Sequence, residues 1–208
     1  MKIADRYEPK SAERFSADTE GFEMTVLHDE GVYRHLRFKH PEQSMYWYDL
    51  VTWPGCLTFH GDMGTWTFAR EHDMALQFFS EQGYANASYW SEKLQGGGGQ
   101  RGAQVFSPER FREHIREEYR QHIEARGISA DAELWQDIHQ TFMDDWAPED
   151  QSTCITTAQG YVWPRHFAPG PEAFSMPDAW EWDCMVWDHA FLWACQGIRA
   201  GLALYRAK

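Results

Sequence analysis

Apolar and polar positions along this chain change period once, near residue 71, dividing a strand-rich half from a helix-rich half. Before that point period two dominates. Val32, Arg34, Leu36 and Phe38 fall on one side of an extended segment, with Tyr33, His35, Arg37 and Lys39 on the other. One side is mostly apolar and the other basic, as in a half-buried antiparallel strand. Residues 22–27 make a shorter strand before it, and Asp29-Glu30-Gly31 is the turn between them. Residues 45–52 are mostly aromatic or β-branched and read as a central strand. Pro54-Gly55 then turns the chain into a strand at 56–60, and Gly61-Asp62-Met63-Gly64 turns it again into 65–70. In that last strand Trp66 and Phe68 share a face opposite Thr65, Thr67 and Ala69.

Beyond residue 71 the spacing is helical. Asp73 is placed to cap a helix with Met74, Phe78 and Phe79 on one side, ending at Gly83, and Asn86 or Ser88 starts a short helix carrying Tyr89, Trp90 and Leu94. Four consecutive glycines at 96–99 lack the spacing, lysine and hydroxyl residue of a phosphate loop, and read as a flexible linker. Ser107-Pro108 opens a helix with Phe111, Ile115, Tyr119 and Ile123 on one face, stopped by Gly127. A second helix over 131–146 repeats the pattern with Leu134, Ile138 and Phe142, and turns Glu133, Asp137 and Asp144 outward. Alternation of Thr153, Ile155 and Thr157 predicts a strand within 154–162, followed by a connector over 164–177. The last element, from about 179 or 182 to 206, is a long helix, apolar around its girth and expected to pack on the sheet. The fold class is α+β. An antiparallel sheet of four to five strands over 22–70 packs against helices over 71–208 in one domain, preceded by a loose arm at 1–21.

With 16% aromatic residues, including 11 Trp, the chain has the material for a thick two-layer core. Its charge of −13 is uneven, for residues 127–198 hold twelve acidic residues against Arg165 alone. A direct nucleic-acid binder needs a basic footprint, and none dominates here. An acidic surface fits solubility, a protein partner with a basic groove, or mimicry of nucleic acid. The longest apolar stretch, near 190–195, is too short to span a bilayer, so no membrane partner is expected. Cys56, Cys154, Cys184 and Cys195 form no CxxC and match no zinc spacing. Together with a start that does not resemble a signal peptide, they point to a reducing cytoplasm.

Candidate chemistry gathers around 46–70. Asp49, His60, Asp62 and Arg70, flanked by Trp53 and Trp66, are candidates for a ligand pocket at the hairpin turns, because a histidine with two carboxylates can bind a metal or act as acid and base. Each also has a plainer reading. Asp62 suits a turn, His60 suits solvent, and Arg70 suits an ion pair with Asp49 or Asp73. Tyr46, Trp47, Tyr48, Trp53 and Trp66 are more in keeping with a core than with a base-stacking platform in so acidic a chain. His35 and Arg37 form a basic stripe. HExxH, HxH and GxSxG are absent, so no catalytic residue, metal or cofactor is assigned.

The run DLVTWPGCLTFHGDMGTWTFAR, continued by Asp73-Met74, Phe78-Phe79 and the segment Ala87-Ser88-Tyr89-Trp90-Ser91-Glu92-Lys93-Leu94, resembles a family of small bacteriophage and prophage proteins. The pattern Trp187, Phe191-Leu192-Trp193-Ala194-Cys195, Ile198, Gly201, Tyr205 is similar too, and the resemblance covers about half of the chain, mainly 32–94 and 180–205. It implies a phage-encoded accessory protein of the bacterial cytoplasm and no particular chemistry. The reading favoured is a binding protein, in its most concrete form an inhibitor of a host defence system such as CRISPR–Cas. The acidic residues Glu133, Asp137, Asp144, Asp145, Glu149 and Asp150 would then face a basic host protein. The alternatives are a small-molecule or nucleotide-binding protein or enzyme using the hairpin-turn residues, and a virion or packaging component.

Overall fold

Five strands in unbroken chain order follow from the alternation described above. The computed structural model describes residues 8–79, 85–96, 99–144, 150–164 and 173–208. In chain order these are α1 (Glu8–Asp18), β1 (Glu23–Glu30), β2 (Tyr33–Lys39), β3 (Tyr48–Trp53), β4 (Cys56–Gly61), β5 (Gly64–Ala69), a π-helical turn (Met74–Phe78) and α2 (Ala87–Ser91). Then come β6 (Gln104–Phe106), α3 (Pro108–Arg126), α4 (Ala132–Ile138), α5 (Gln151–Gln159), β7 (Val162–Trp163), β8 (Phe174–Ser175), β9 (Met185–Trp187) and α6 (His189–Arg206). Where one domain was expected over 22–208, the contacts group into two compact units, 1–105 with 187–208, and 106–186.

In the first unit β1 to β5 form an antiparallel meander, each strand paired with the next. A bulge between Val26 and His28 shifts the β1–β2 register and bends the free edge, a feature that discourages edge-to-edge pairing. Leu36, Phe38, Tyr48, Leu50, Leu57, Phe59 and Phe68 form the buried face. The C-terminal helix α6 lies against that face and buries ten of its residues, from Phe191 to Leu202. It packs closely because Gly197 and Gly201 leave room for the rings of Phe59 and Phe38. Trp193 is fully buried among Phe15, Tyr48 and Phe59, and its indole N–H donates to Asp18 at 3.0 Å.

The long C-terminal helix is as expected, but it starts later. Asp188 caps it by accepting from the Ala190 amide at 2.6 Å, while 177–181 form a 3₁₀ turn and 185–187 a strand. Residues 8–18 are a helix and not part of a loose arm, docked through Phe15, Asp18 and a 3.3 Å bond from Gln196 to Ser11. The glycine run at 96–99 and the expected stop at Gly83 fall partly or wholly outside the described residues.

The second unit is built on α3. Ser107 accepts from the Arg110 amide, Pro108 follows, and Gly127 ends the helix at φ 64°, a left-handed conformation that glycine adopts without penalty. Phe111 and Ile115 pack with Leu134, Ile138 and Phe142 in its core. The second predicted helix is present as α4, capped by Asp131 and continued by a π-helical turn over 139–143. The strand expected within 154–162 is instead α5. Asp150 caps it by accepting from the Thr153 amide at 2.9 Å, and Cys154 and Ala158, four apart, are its buried face. Burial at that spacing outweighs the β preference of its threonines.

Candidate functional site

The sheet face opposite α6 carries polar side chains in register. One row runs Thr25, Arg37, Asp49, His60, Thr65 across all five strands. The row beside it runs His28, His35, Val51, Thr58, Thr67. Asp49 is the centre of this surface and is only 4% exposed. Arg37 donates to it through Nε and Nη2, both at 2.8 Å, and His35 Nε2 lies 2.8 Å from its second oxygen. Burial pushes the Asp49 carboxyl up, but the bonds from Arg37 and His35 outweigh that and hold it below the ordinary carboxylate range.

Trp47 stands on this cluster. The Arg37 guanidinium lies 5.6 Å from its ring centre, and the ring of His60 meets it edge-on at 5.6 Å. His60 Nδ1 is 2.8 Å from the Thr65 hydroxyl, and the Thr58 and Thr67 hydroxyls are 2.8 Å apart.

Of the six candidate ligand residues, only Asp49 and His60 come together, as direct cross-strand neighbours. The pocket at the hairpin turns is not assembled, for a reason of topology: successive turns of a meander lie at opposite ends of the sheet. Trp53 and Arg70 sit at the Pro54-Gly55 end, where Arg70 approaches Glu71 at 3.7 Å. Asp62 is at the other end and accepts from the Tyr46 amide at 2.6 Å, pinning Tyr46 at φ 65°. Trp66 packs on Phe191, and its N–H donates to the Met63 carbonyl at 3.1 Å. Tyr46, Tyr48 and Trp66 belong to the core, whereas Trp53 is 39% exposed.

The ion pairs expected for Arg70 are made by other residues: Arg37 takes Asp49, and Arg34 takes Asp73. Their signal lies in the register of β2 on β3, which sets Arg37 opposite Asp49. That register cannot be read from sequence across the 40–47 loop, which has no recognisable turn type.

In the second unit, Glu133 is exposed in the first turn of α4. Asp137 accepts from the Tyr161 hydroxyl at 2.7 Å, Asp144 lies 2.9 Å from His139, and Asp150 caps α5. Asp145 and Glu149 lie outside the described residues. The unit holds 16 acidic residues against six arginines, a net of −10. Five of those arginines are on α3, and each pairs with an acid of that helix or with Asp131. Glu133, Asp178, Glu181 and Asp183 have no cationic partner among the described residues.

A further group was not singled out from sequence. His114 and Glu118, four apart on α3, face Trp182. The His114 ring stacks on the indole at 5.2 Å, and Trp182 bonds to Glu118. Burial raises the Glu118 carboxyl, and Asp178 and Glu117 add to the rise.

Among the described residues, no three His, Cys, Asp or Glu side chains are grouped to hold a metal ion, and no helix is long and apolar enough to cross a membrane. The four cysteines are free thiols, three of them buried. No family model, curated protein or solved structure matches this chain.

Proposed function

We propose that the chain is a phage-encoded accessory protein that acts by binding, presenting the acidic unit 106–186 to a basic surface of a bacterial host protein. The observation that carries this reading is the distribution of charge within that unit. Its described arginines are all engaged along α3, so the surplus negative charge falls on α4, on Asp144 and Asp150, and on the 177–183 segment. Neutral donors, Ser152 and Thr153, hold Asp150, which fixes the side chain and leaves its charge in place. A field of one sign speeds encounter with a partner of the other and repels like-charged competitors. The resemblance of 32–94 and 180–205 to prophage proteins supports the phage origin, and inhibition of a host defence complex is the most concrete form of the reading.

The test is capture from bacterial host extract on immobilised protein, repeated from about 0.05 to 0.5 M salt. The expected result is a partner retained at low salt and released at high salt, with retention lost in a Glu133→Lys, Asp178→Lys, Glu181→Lys variant. Capture that is indifferent to salt and to charge reversal overturns the reading, as does no capture at low salt.

A further inference from the structure

We propose that the cleft between α1 and α6 binds a small amphipathic carboxylate, with Arg199 taking the carboxylate and the apolar walls taking the chain. The site lies in the first unit and does not depend on the acidic surface discussed above.

The cleft follows from what the two helices leave over once the core is packed. Gly197 and Gly201 turn one side of α6 to the rings of Phe59 and Phe38. Arg199, Ala200, Ala203 and Leu204 lie beside that strip, and Ala12 and Ser16, one turn apart on α1, complete the opposite wall. Side chains as short as alanine and serine do not close the gap between two helix backbones. A cleft of about 460 Å³ stays open to solvent there, with Phe15 also on its lining. Sites for small molecules span about 300–1,000 Å³. Leu204, at the edge of the cleft, is an apolar side chain left 52% exposed.

Among the described residues that line the cleft, Arg199 alone is charged. Its Nε donates to Gln196 Oε1 at 3.1 Å, and Gln196, only 3% exposed, donates in turn to the Ser11 hydroxyl at 3.3 Å. This buried relay holds the stem of the guanidinium and leaves Nη1 and Nη2 with no partner among the described residues. Such bracing lowers the ordering cost of binding. No described carboxylate pairs with Arg199. Arg101 and Arg206 share that lack but are exposed, whereas Arg199 is half-buried. In a chain of net −13, a half-buried cation without an acid is matched by one from outside. Glu13 and Glu20 line the adjoining hollow on α1 and not this cleft, which directs an anion to Arg199. A single planar fork of donors fits the two oxygens of a carboxylate. The alanines, Phe15 and Leu204 fit an acyl chain beside it.

The experiment is a titration of the full chain with octanoate and, separately, with octan-1-ol, at constant ionic strength. It is followed by NMR of the Ala200, Ala203 and Leu204 methyl groups and of the Arg199 Nε–H. Saturable shifts of these groups are expected with octanoate, and binding of the neutral alcohol should be weaker by about tenfold or more, the scale of one lost charge-assisted hydrogen bond. Arg199→Gln should bring octanoate down to the affinity of octanol and leave octanol unchanged, a split that a merely structural role would not produce. Leu204→Ser, at an exposed position, gives a second variant whose folding is not in question and should weaken both ligands. Octanol binding as tightly as octanoate, the absence of saturable shifts with octanoate, or full octanoate affinity in either variant would each overturn the proposal.

Discussion

Arg34 donates two parallel hydrogen bonds to Asp73, at 3.0 and 2.9 Å, joining the second strand of the sheet to the start of the π-helical turn. The Arg34 side chain is 5% exposed and that of Asp73 13%. Arg34 also donates to the Tyr205 hydroxyl at 3.1 Å, and that hydroxyl donates onward to Asp29 at 2.8 Å, so the end of α6 joins the same network. Asp73 has a second task, accepting from the Leu76 amide at 3.1 Å.

Removing one member of a buried pair costs about 3–5 kcal/mol when the other's charge is left unmatched. Asp73→Ala is expected to fall at the low end, about 3 kcal/mol, since it leaves the guanidinium the more distant Asp29, at 3.9 Å, and removes a cap as well. Arg34→Met should cost less, because Asp73 keeps its bond from Leu76 and stays near solvent. Urea unfolding of both variants checks the order; an equal or smaller loss for Asp73→Ala contradicts it.

Gly201 faces Phe38 and Leu50, where an added Cβ would lie 2.8 Å from Phe38 Cζ and 3.0 Å from Leu50 Cδ1. In an exposed helix, Gly→Ala gains about 1 kcal/mol of propensity. Here overpacking of about 1–3 kcal/mol opposes that gain, so Gly201→Ala is expected to be neutral to about 2 kcal/mol destabilising. At Gly61 the clash is with backbone, the Trp47 carbonyl oxygen, which cannot move aside as a ring can. Gly61→Ala should therefore be the more damaging of the two. Thermal melts of both proteins decide it, and a more stable Gly201→Ala would show that α6 has slack on the sheet.

How much of this was legible in the sequence depends on how many residues mark each element. Strands β2 to β5 are legible because alternation and two strong turns agree. The first helix is not, since its buried strip among the described residues is just Ser11 and Phe15, too little to register as a period. In α5 the buried residues are small, and the bulkier Thr153, Ile155 and Thr157 carry a misleading alternation. At the site, Asp49 and His60 are legible as neighbours because the Pro54-Gly55 turn sets their register. The pairing of Arg37 with Asp49 crosses a loop with no turn signature, so only the fold reveals it.

Asp49 should make the first unit sensitive to acid. Its native carboxyl is held below the ordinary value, so the stability it contributes is complete above the unfolded value of about 3.9 and is lost as pH falls through the native one. Asp49→Asn keeps the shape and one acceptor but gives up the charge. We expect it to cost about 1.5–3 kcal/mol at pH 7, the range for a bond made to a charged group, and the gap from wild type to narrow below about pH 4. Urea unfolding at pH 7 and at pH 3.5 measures this. A gap of the same size at both values would assign the effect of the substitution to shape and not to charge.

Glu118 gives the opposite sign. Its carboxyl is raised, first by burial and then by Asp178 and Glu117, against the bond from Trp182 that favours the charged form. A carboxyl raised in the native state contributes stability that is fully present below the unfolded value of about 4.3 and is lost as pH rises through the native one. At neutral pH the ionised side chain therefore strains the second unit. Glu118→Gln removes the charge and keeps an oxygen that can accept from Trp182. The variant is expected to melt higher than wild type at pH 7 and level with it near pH 4. A lower melting point at pH 7 would mean that the Trp182 bond to a full carboxylate outweighs the burial of its charge.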